Sequence, residues 1–123
     1  MDRAAIIQTL TDYFTDRQEV VAAYLFGSVA RGEAREASDI DVGVLLRDGK
    51  PSTLEDFDAV FVVQEELETR CRRAFDVVVM NGAPLDLLHR ILRDGVLVLD
   101  RDPLRRMEFE LQTRTQYFDF LPL

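Results

Sequence analysis

Residues 25–46 read LFGSVARGEAREASDIDVGVLL. The stretch begins apolar, breaks at Gly27-Ser28, stays largely polar for ten residues and then resumes as an apolar run. Two acids, Asp39 and Asp41, open that second run. In a strand, residues two apart face the same way, so these carboxylates share a face about 6.6 Å apart along the chain. A strand that ends in Gly and turns into a helix presents free backbone N–H groups, which suit a phosphate. Glycine also lets an anion approach the main chain closely.

Working outward, residues 20–26, VVAAYLF, form a continuous apolar run expected of a buried strand. Upstream, residues 3–15 have helical spacing, with Ile6, Leu10, Tyr13 and Phe14 on one face. VARGEAR, residues 29–35, predicts a short helix with Gly32 near its end. Residues 39–46 predict a second strand and RDGKPS a turn. Ser52 and Glu55 have the spacing of a capping box. A long helix should follow to about Arg73, with Leu54, Phe57, Phe61, Gln64, Leu67 and Cys71 along one side. Residues 74–80, AFDVVVM, predict a third strand opening on Asp76. Leu85, Leu88, Ile91 and Leu92 mark a helix closed by Asp94-Gly95, and VLVLD a fourth strand. Asp102-Pro103 should cap a last helix running to about Leu121. Strands and helices alternate from end to end without a linker, which predicts an α/β fold in one domain, residues 1–123, with helices covering a sheet.

The chain is 123 residues long, with 47% apolar and 31% charged residues. That suffices for one core and a soluble surface. The net charge of −8 argues against gripping nucleic acid over a broad surface, because such binding depends on Lys and Arg neutralising phosphates. Cys71 is the only cysteine, which fits a reducing compartment. The N-terminus lacks the pattern of a secretory signal, and no apolar run approaches the roughly 18 residues of a membrane helix. A cytoplasmic protein without a membrane partner is the expectation.

If the third strand neighbours the second, Asp39, Asp41 and Asp76 can converge. Each pair of carboxylates about 6 Å apart then repels by roughly 3 kcal/mol at an effective dielectric near 20. A divalent cation offsets this. Mg²⁺ favours one or two carboxylates together with phosphate oxygens and water. Two such ions about 4 Å apart form the clamp used in phosphoryl and nucleotidyl transfer. Asp-x-Asp alone, or Gly-Ser alone, is ordinarily a turn or a strand-edge acid. Gly27-Ser28, ten residues, Asp39-x-Asp41 and a third acid before a later apolar strand together form a specific combination.

On these residues the chain resembles the DNA polymerase β-type nucleotidyltransferase superfamily. Within it, the chain is most similar to the minimal nucleotidyltransferases (MNT), the antitoxins of HEPN/MNT toxin–antitoxin pairs. The resemblance runs from the first helix to YFDFLPL, and GSVARGEAREASDID matches the Gly-Ser-x10-Asp-x-Asp motif without gaps. It implies a mixed sheet of about four strands flanked by helices. It implies Asp39, Asp41 and Asp76 as catalytic and metal-ligating residues, with two Mg²⁺ ions and Asp76 also available as general base. It implies that Ser28 contacts the nucleotide phosphate; Gly27, through the turn, and Arg31, as a phosphate clamp, are the other candidate nucleotide-binding residues. ATP is the implied donor, and a tyrosine hydroxyl of a HEPN-type toxin the implied acceptor. Two rivals stand beside this one. The same chemistry could serve a small molecule such as an aminoglycoside, although the chain lacks the extra helical region such enzymes carry. Alternatively, the protein could block its partner by binding alone.

Other residues carry weaker signals. Arg31 and Arg35 could clamp phosphate or sit on a solvated loop. Ser38 could orient Asp39 but is more plainly a turn serine. His89 and Cys71 read as structural. The last helix has two apolar stripes, one of Leu104, Met107, Leu111 and Phe118 and one of Phe109, Tyr117 and Phe120. One stripe would dock the helix on the sheet. The other suits a partner or a second copy in a homodimer, unless the helix is wedged between two intramolecular surfaces.

Overall fold

The computed structural model describes residues 1–35 and 38–122. In chain order the elements are α1 (Arg3–Thr15), β1 (Val20–Phe26), α2 (Gly27–Ala30), β2 (Ile40–Leu46), α3 (Leu54–Cys71), β3 (Phe75–Val79), α4 (Leu85–Asp94), β4 (Val96–Asp100) and α5 (Pro103–Asp119). The alternation matches the expected one. The motif's Glu36 and Ala37, and the terminal Leu123, lie outside the described residues.

The four strands form one mixed sheet in the order β3-β2-β1-β4. The short α2 turn returns the chain beside β1, so β2 is antiparallel to it. The long α3 crossover makes β3 parallel to β2. After α4 the chain crosses to the opposite edge, where β4 runs antiparallel to β1. Every residue of the central β1 is buried. Its alternate side chains feed two cores. Ala23 and Leu25 meet Ile6, Leu10 and Phe14 of α1 and Leu67 of α3 on one face. Tyr24 and Phe26 meet Leu88 and Ile91 of α4 on the other.

Helix ends follow local chemistry. Asp2 accepts a hydrogen bond from the Ala5 N–H at 2.8 Å and caps α1. Asp102 caps α5, with Pro103 in the first turn. The capping box of α3 lies one residue later than the Ser52–Glu55 spacing predicts. Thr53 is the N-cap and Asp56 the reciprocal acid. Asp56 also accepts from the Ser52 N–H at 3.0 Å, so its short side chain gathers both donors. Arg101 stitches α1 to the sheet, donating to the carbonyls of Phe14 at 2.7 Å and Val20 at 3.0 Å.

On α3 the exposed face differs from expectation, and on α5 only Phe120 does. On α3 the buried residues are Val63, Leu67 and Cys71, whereas Leu54, Phe57 and Phe61 are exposed. Only the C-terminal half of α3 is pressed onto the core. On α5 the stripe of Leu104, Met107, Leu111 and Phe118 faces solvent. Phe109 packs against the second core and Tyr117 stacks on His89 at 3.8 Å, while Phe120 remains exposed. A polar network also anchors α5. Tyr24 donates to Glu110 at 2.6 Å, and Arg106 bridges Asp100 and Glu110. Among the described residues no helix is long and apolar enough to cross a membrane.

Candidate functional site

Three register pairs build the site. Phe26, the last residue of β1, lies opposite Asp41, and Asp41 lies opposite Asp76 of β3. The end of β1 and the two carboxylates therefore form a row across one end of the sheet. Gly27 follows with φ of 73°, a left-handed conformation that favours glycine. A Cβ there would stand 2.2 Å from Asp41 Oδ2, so the turn and the carboxylate fit together only without a side chain. The first turn of α2 has no side-chain cap.

A cleft of about 440 Å³ opens over this row. Gly27, Ser28 and Arg31 line one side and Asp41 and Asp76 the floor. Val78 and, from α4, Leu87, Arg90 and Asp94 complete the wall. Another cavity of about 330 Å³ lies between α3 and the other end of the sheet. Its walls are largely apolar, including Phe14, Val20, Val44 and Val63, and no register-paired acids face it. The chemistry places the candidate site in the first cleft.

The electrostatics favour a cation. Burial pushes the Asp41 carboxyl above the usual carboxylate range, and the charges of Asp76 and then Asp39 push it further. Arg31 opposes them. Arg31 is itself held by Glu33 at 3.1 Å and Asp94 at 3.9 Å. Asp94 is fixed by a two-point bond from Arg93, which holds its carboxyl below the ordinary range.

The structure sets Asp41 and Asp76 side by side. Asp39 is exposed, one residue before β2, and its charge is felt at Asp41. Among the described residues no three of His, Cys, Asp and Glu lie close enough to form a ready-made metal cage. The cleft nevertheless sets carboxylate oxygens beside the first turn of α2, whose main-chain amides no side chain caps. That set fits a hard cation such as Mg²⁺ held partly by phosphate. Arg35 is exposed, and its N–H donates to Ser38 Oγ at 3.0 Å, which makes Ser38 a turn serine. The Ser38 carbonyl accepts from Arg73 at 2.7 Å, and this pins the segment that leads into Asp39. Cys71 is buried in the first core. Arg90 and Asp94 do not stand out in the sequence. Their only signal is that residues 87, 90 and 94 share a face of α4 beside its apolar stripe, where Leu87 packs against the second core.

Residues 8–104 match the family model described as Polymerase beta, Nucleotidyltransferase. The chain belongs to that family. Solved structures share its fold. A toxin–antitoxin structure with AMP-PNP aligns at 21% identity and a TM-score of 0.78, covering 92% of this chain and 87% of the other. A complex of a tri-AMPylated Shewanella oneidensis HEPN toxin with MNT antitoxin aligns at 19% identity and a TM-score of 0.73, covering 95% and 87%. A structure described as that of a minimal nucleotidyltransferase aligns at 32% identity and a TM-score of 0.61, covering 78% of this chain and 95% of the other. Among curated proteins none matches significantly. The likeness to minimal nucleotidyltransferases, the mixed four-stranded sheet and the nucleotidyltransferase assignment thus agree with the reading of the sequence, and the toxin–antitoxin structures share the fold.

Proposed function

We propose that this nucleotidyltransferase moves AMP from ATP to a hydroxyl, a tyrosine in a HEPN-type toxin, and so acts as an antitoxin. The observation that carries the reading is the pairing of Asp41 with Asp76 beside the uncapped Gly27-Ser28 turn in one cleft. Main-chain amides of α2 and the Ser28 hydroxyl hold phosphate oxygens, and Arg31 adds charge. Asp41 and Asp76 would hold Mg²⁺, with Asp39 as the third carboxylate near them. When bound, Mg²⁺ supplies positive charge against the triphosphate and the developing oxyanion. Asp76 takes the proton of the acceptor hydroxyl. The hydroxyl oxygen forms a bond to the α-phosphorus as the bond to the β-phosphate oxygen breaks, and pyrophosphate leaves. Two structures of the same fold, one with AMP-PNP and one with an AMPylated HEPN toxin, support the choice of donor and acceptor.

The test is to incubate the purified protein with ATP, Mg²⁺ and a HEPN-type toxin and to weigh the toxin intact. The expected result is a toxin heavier by whole AMP units, with none when Mg²⁺ is chelated. A toxin inhibited at unchanged mass would assign the protein to inhibition by binding alone.

A further inference from the structure

We propose that Arg90 of α4 holds the β- and γ-phosphates of the donor nucleotide and makes the cleft selective for a triphosphate. The inference rests on the nucleotide reading of this cleft and adds a residue that the Gly-Ser and Asp-x-Asp motif lacks. Leu87, Arg90 and Asp94 are three and four residues apart, so they share one face of α4, and all three line the cleft. Asp94 reaches Arg31 at 3.9 Å and so ties α4 to the end of α2. Arg90 lies one helical turn, about 6 Å, from Asp94 along the same wall.

The charges that line the cleft differ in what already matches them. Arg31 meets Glu33 at 3.1 Å and Asp94 at 3.9 Å, so two carboxylates oppose its charge. Asp94 is also held by Arg93 at 2.9 Å. Among the described residues Arg90 has no ion-pair partner. On a helix face turned to bulk water an unpaired arginine is ordinary. Here it stands over a floor of two carboxylates, in a chain of net charge −8 that repels a polyanion on approach. A nucleotide needs local positive charge to enter such a cleft, and Arg90 is the lining cation that no acid of the described protein matches.

The position of Arg90 selects which phosphates it takes. Asp41 and Asp76, with the ion they would hold, attend to the α-phosphate where the acceptor oxygen attacks. The β- and γ-phosphates carry most of the charge of ATP and extend away from that point. A guanidinium on the wall can grip two of their oxygens at once, which an ammonium cannot do in the same geometry.

The test is isothermal titration of the whole chain with ATP and with AMP, each with Mg²⁺. Arg90 is exposed and Ala is a strong helix former, so Arg90→Ala should fold as the parent does. It should weaken ATP binding roughly tenfold or more, the loss expected for a charge-assisted contact, and change AMP binding less than about twofold. Arg90→Lys keeps the charge without the fork and should recover part of the loss. Arg3→Ala removes a positive charge from the exposed start of α1 and should leave both affinities unchanged. An equal loss for ATP and AMP, or an equal loss in Arg3→Ala, overturns the proposal. Unchanged ATP affinity with a raised KM for the toxin overturns it in favour of a contact with the acceptor. A parent that binds neither nucleotide overturns the nucleotide reading as well, whereas a parent that binds ATP no better than Arg90→Ala does overturns the role of Arg90 alone.

Discussion

Asp41 is the residue on which the site turns, and its surroundings make two predictions. Its carboxylate lies against Gly27, where a Cβ would meet Oδ2 at 2.2 Å in a backbone with φ of 73°. Gly27→Ala should therefore destabilise the fold by about 2 kcal/mol or more, combining left-handed strain with overpacking. Chemical denaturation measures this, and a neutral effect would mean that the carboxylate is free to move away. The second prediction concerns pH. The Asp41 carboxyl is raised by burial, Asp76 and Asp39, so the folded state prefers it protonated. Its favourable contribution is full below the unfolded-state value, near 4, and is lost as pH rises through the higher folded value. In chelator-treated protein at neutral pH, Asp41→Asn should thus be more stable than the parent by about 1 kcal/mol, a Coulomb figure discounted for solvent screening in an open cleft. The gap should close as pH falls towards 4, and a gap independent of pH would remove charge as its cause. The Asp-x-Asp spacing made Asp39 and Asp41 legible in sequence. Only strand register shows that Asp41 and Asp76 are the pair.

At the scale of elements, Arg101 tests how the helical layer is held to the sheet. It donates to carbonyls at the end of α1 and the start of β1, at 2.7 Å to Phe14 and 3.0 Å to Val20. Arg101→Ala leaves those acceptors without a charged donor and should lower stability by roughly 2 kcal/mol. Urea denaturation reads this, and a loss within experimental error would mean water replaces the guanidinium. Element order was legible in the sequence because apolar runs and cap residues mark it locally. The buried face of α3 was not. Leu54, Phe57 and Phe61 have helical spacing, but so do Val63 and Leu67, and periodicity cannot say which stripe meets the sheet. The burial of Val63, Leu67 and Cys71, together with the polar contacts of Gln64 and Glu68 with β3, fixes the rotation of the helix. The cap was ambiguous for a similar reason. Ser52–Glu55 and Thr53–Asp56 share one spacing, and the shorter acid that reaches both backbone donors decides it.

For the whole molecule the question is whether inhibition is a covalent act or an occupied surface. The fold keeps the two separable. The carboxylate row lies at one end of the sheet, whereas the exposed stripe of Leu104, Met107, Leu111 and Phe118 runs along α5. A protein of net charge −8 also gains little from polyanionic partners, so a protein surface is the better counterpart for that stripe. If chemistry matters, its effect outlasts contact, because a phosphodiester remains when the protein is withdrawn. Toxin incubated briefly with ATP, Mg²⁺ and this protein, then freed of it, should stay inactive and carry whole AMP units. Asp76→Ala removes one carboxylate of the row and its proton acceptor, so turnover should fall at least a hundredfold. The substitution is confined to the cleft, so if the contact surface lies elsewhere, as on the exposed α5 stripe, the variant should still bind toxin. Activity regained once Asp76→Ala is removed, against activity permanently lost after the parent, locates the antitoxin effect in the cleft. Equal suppression by the two proteins, with no change in toxin mass, would make the antitoxin effect one of binding alone.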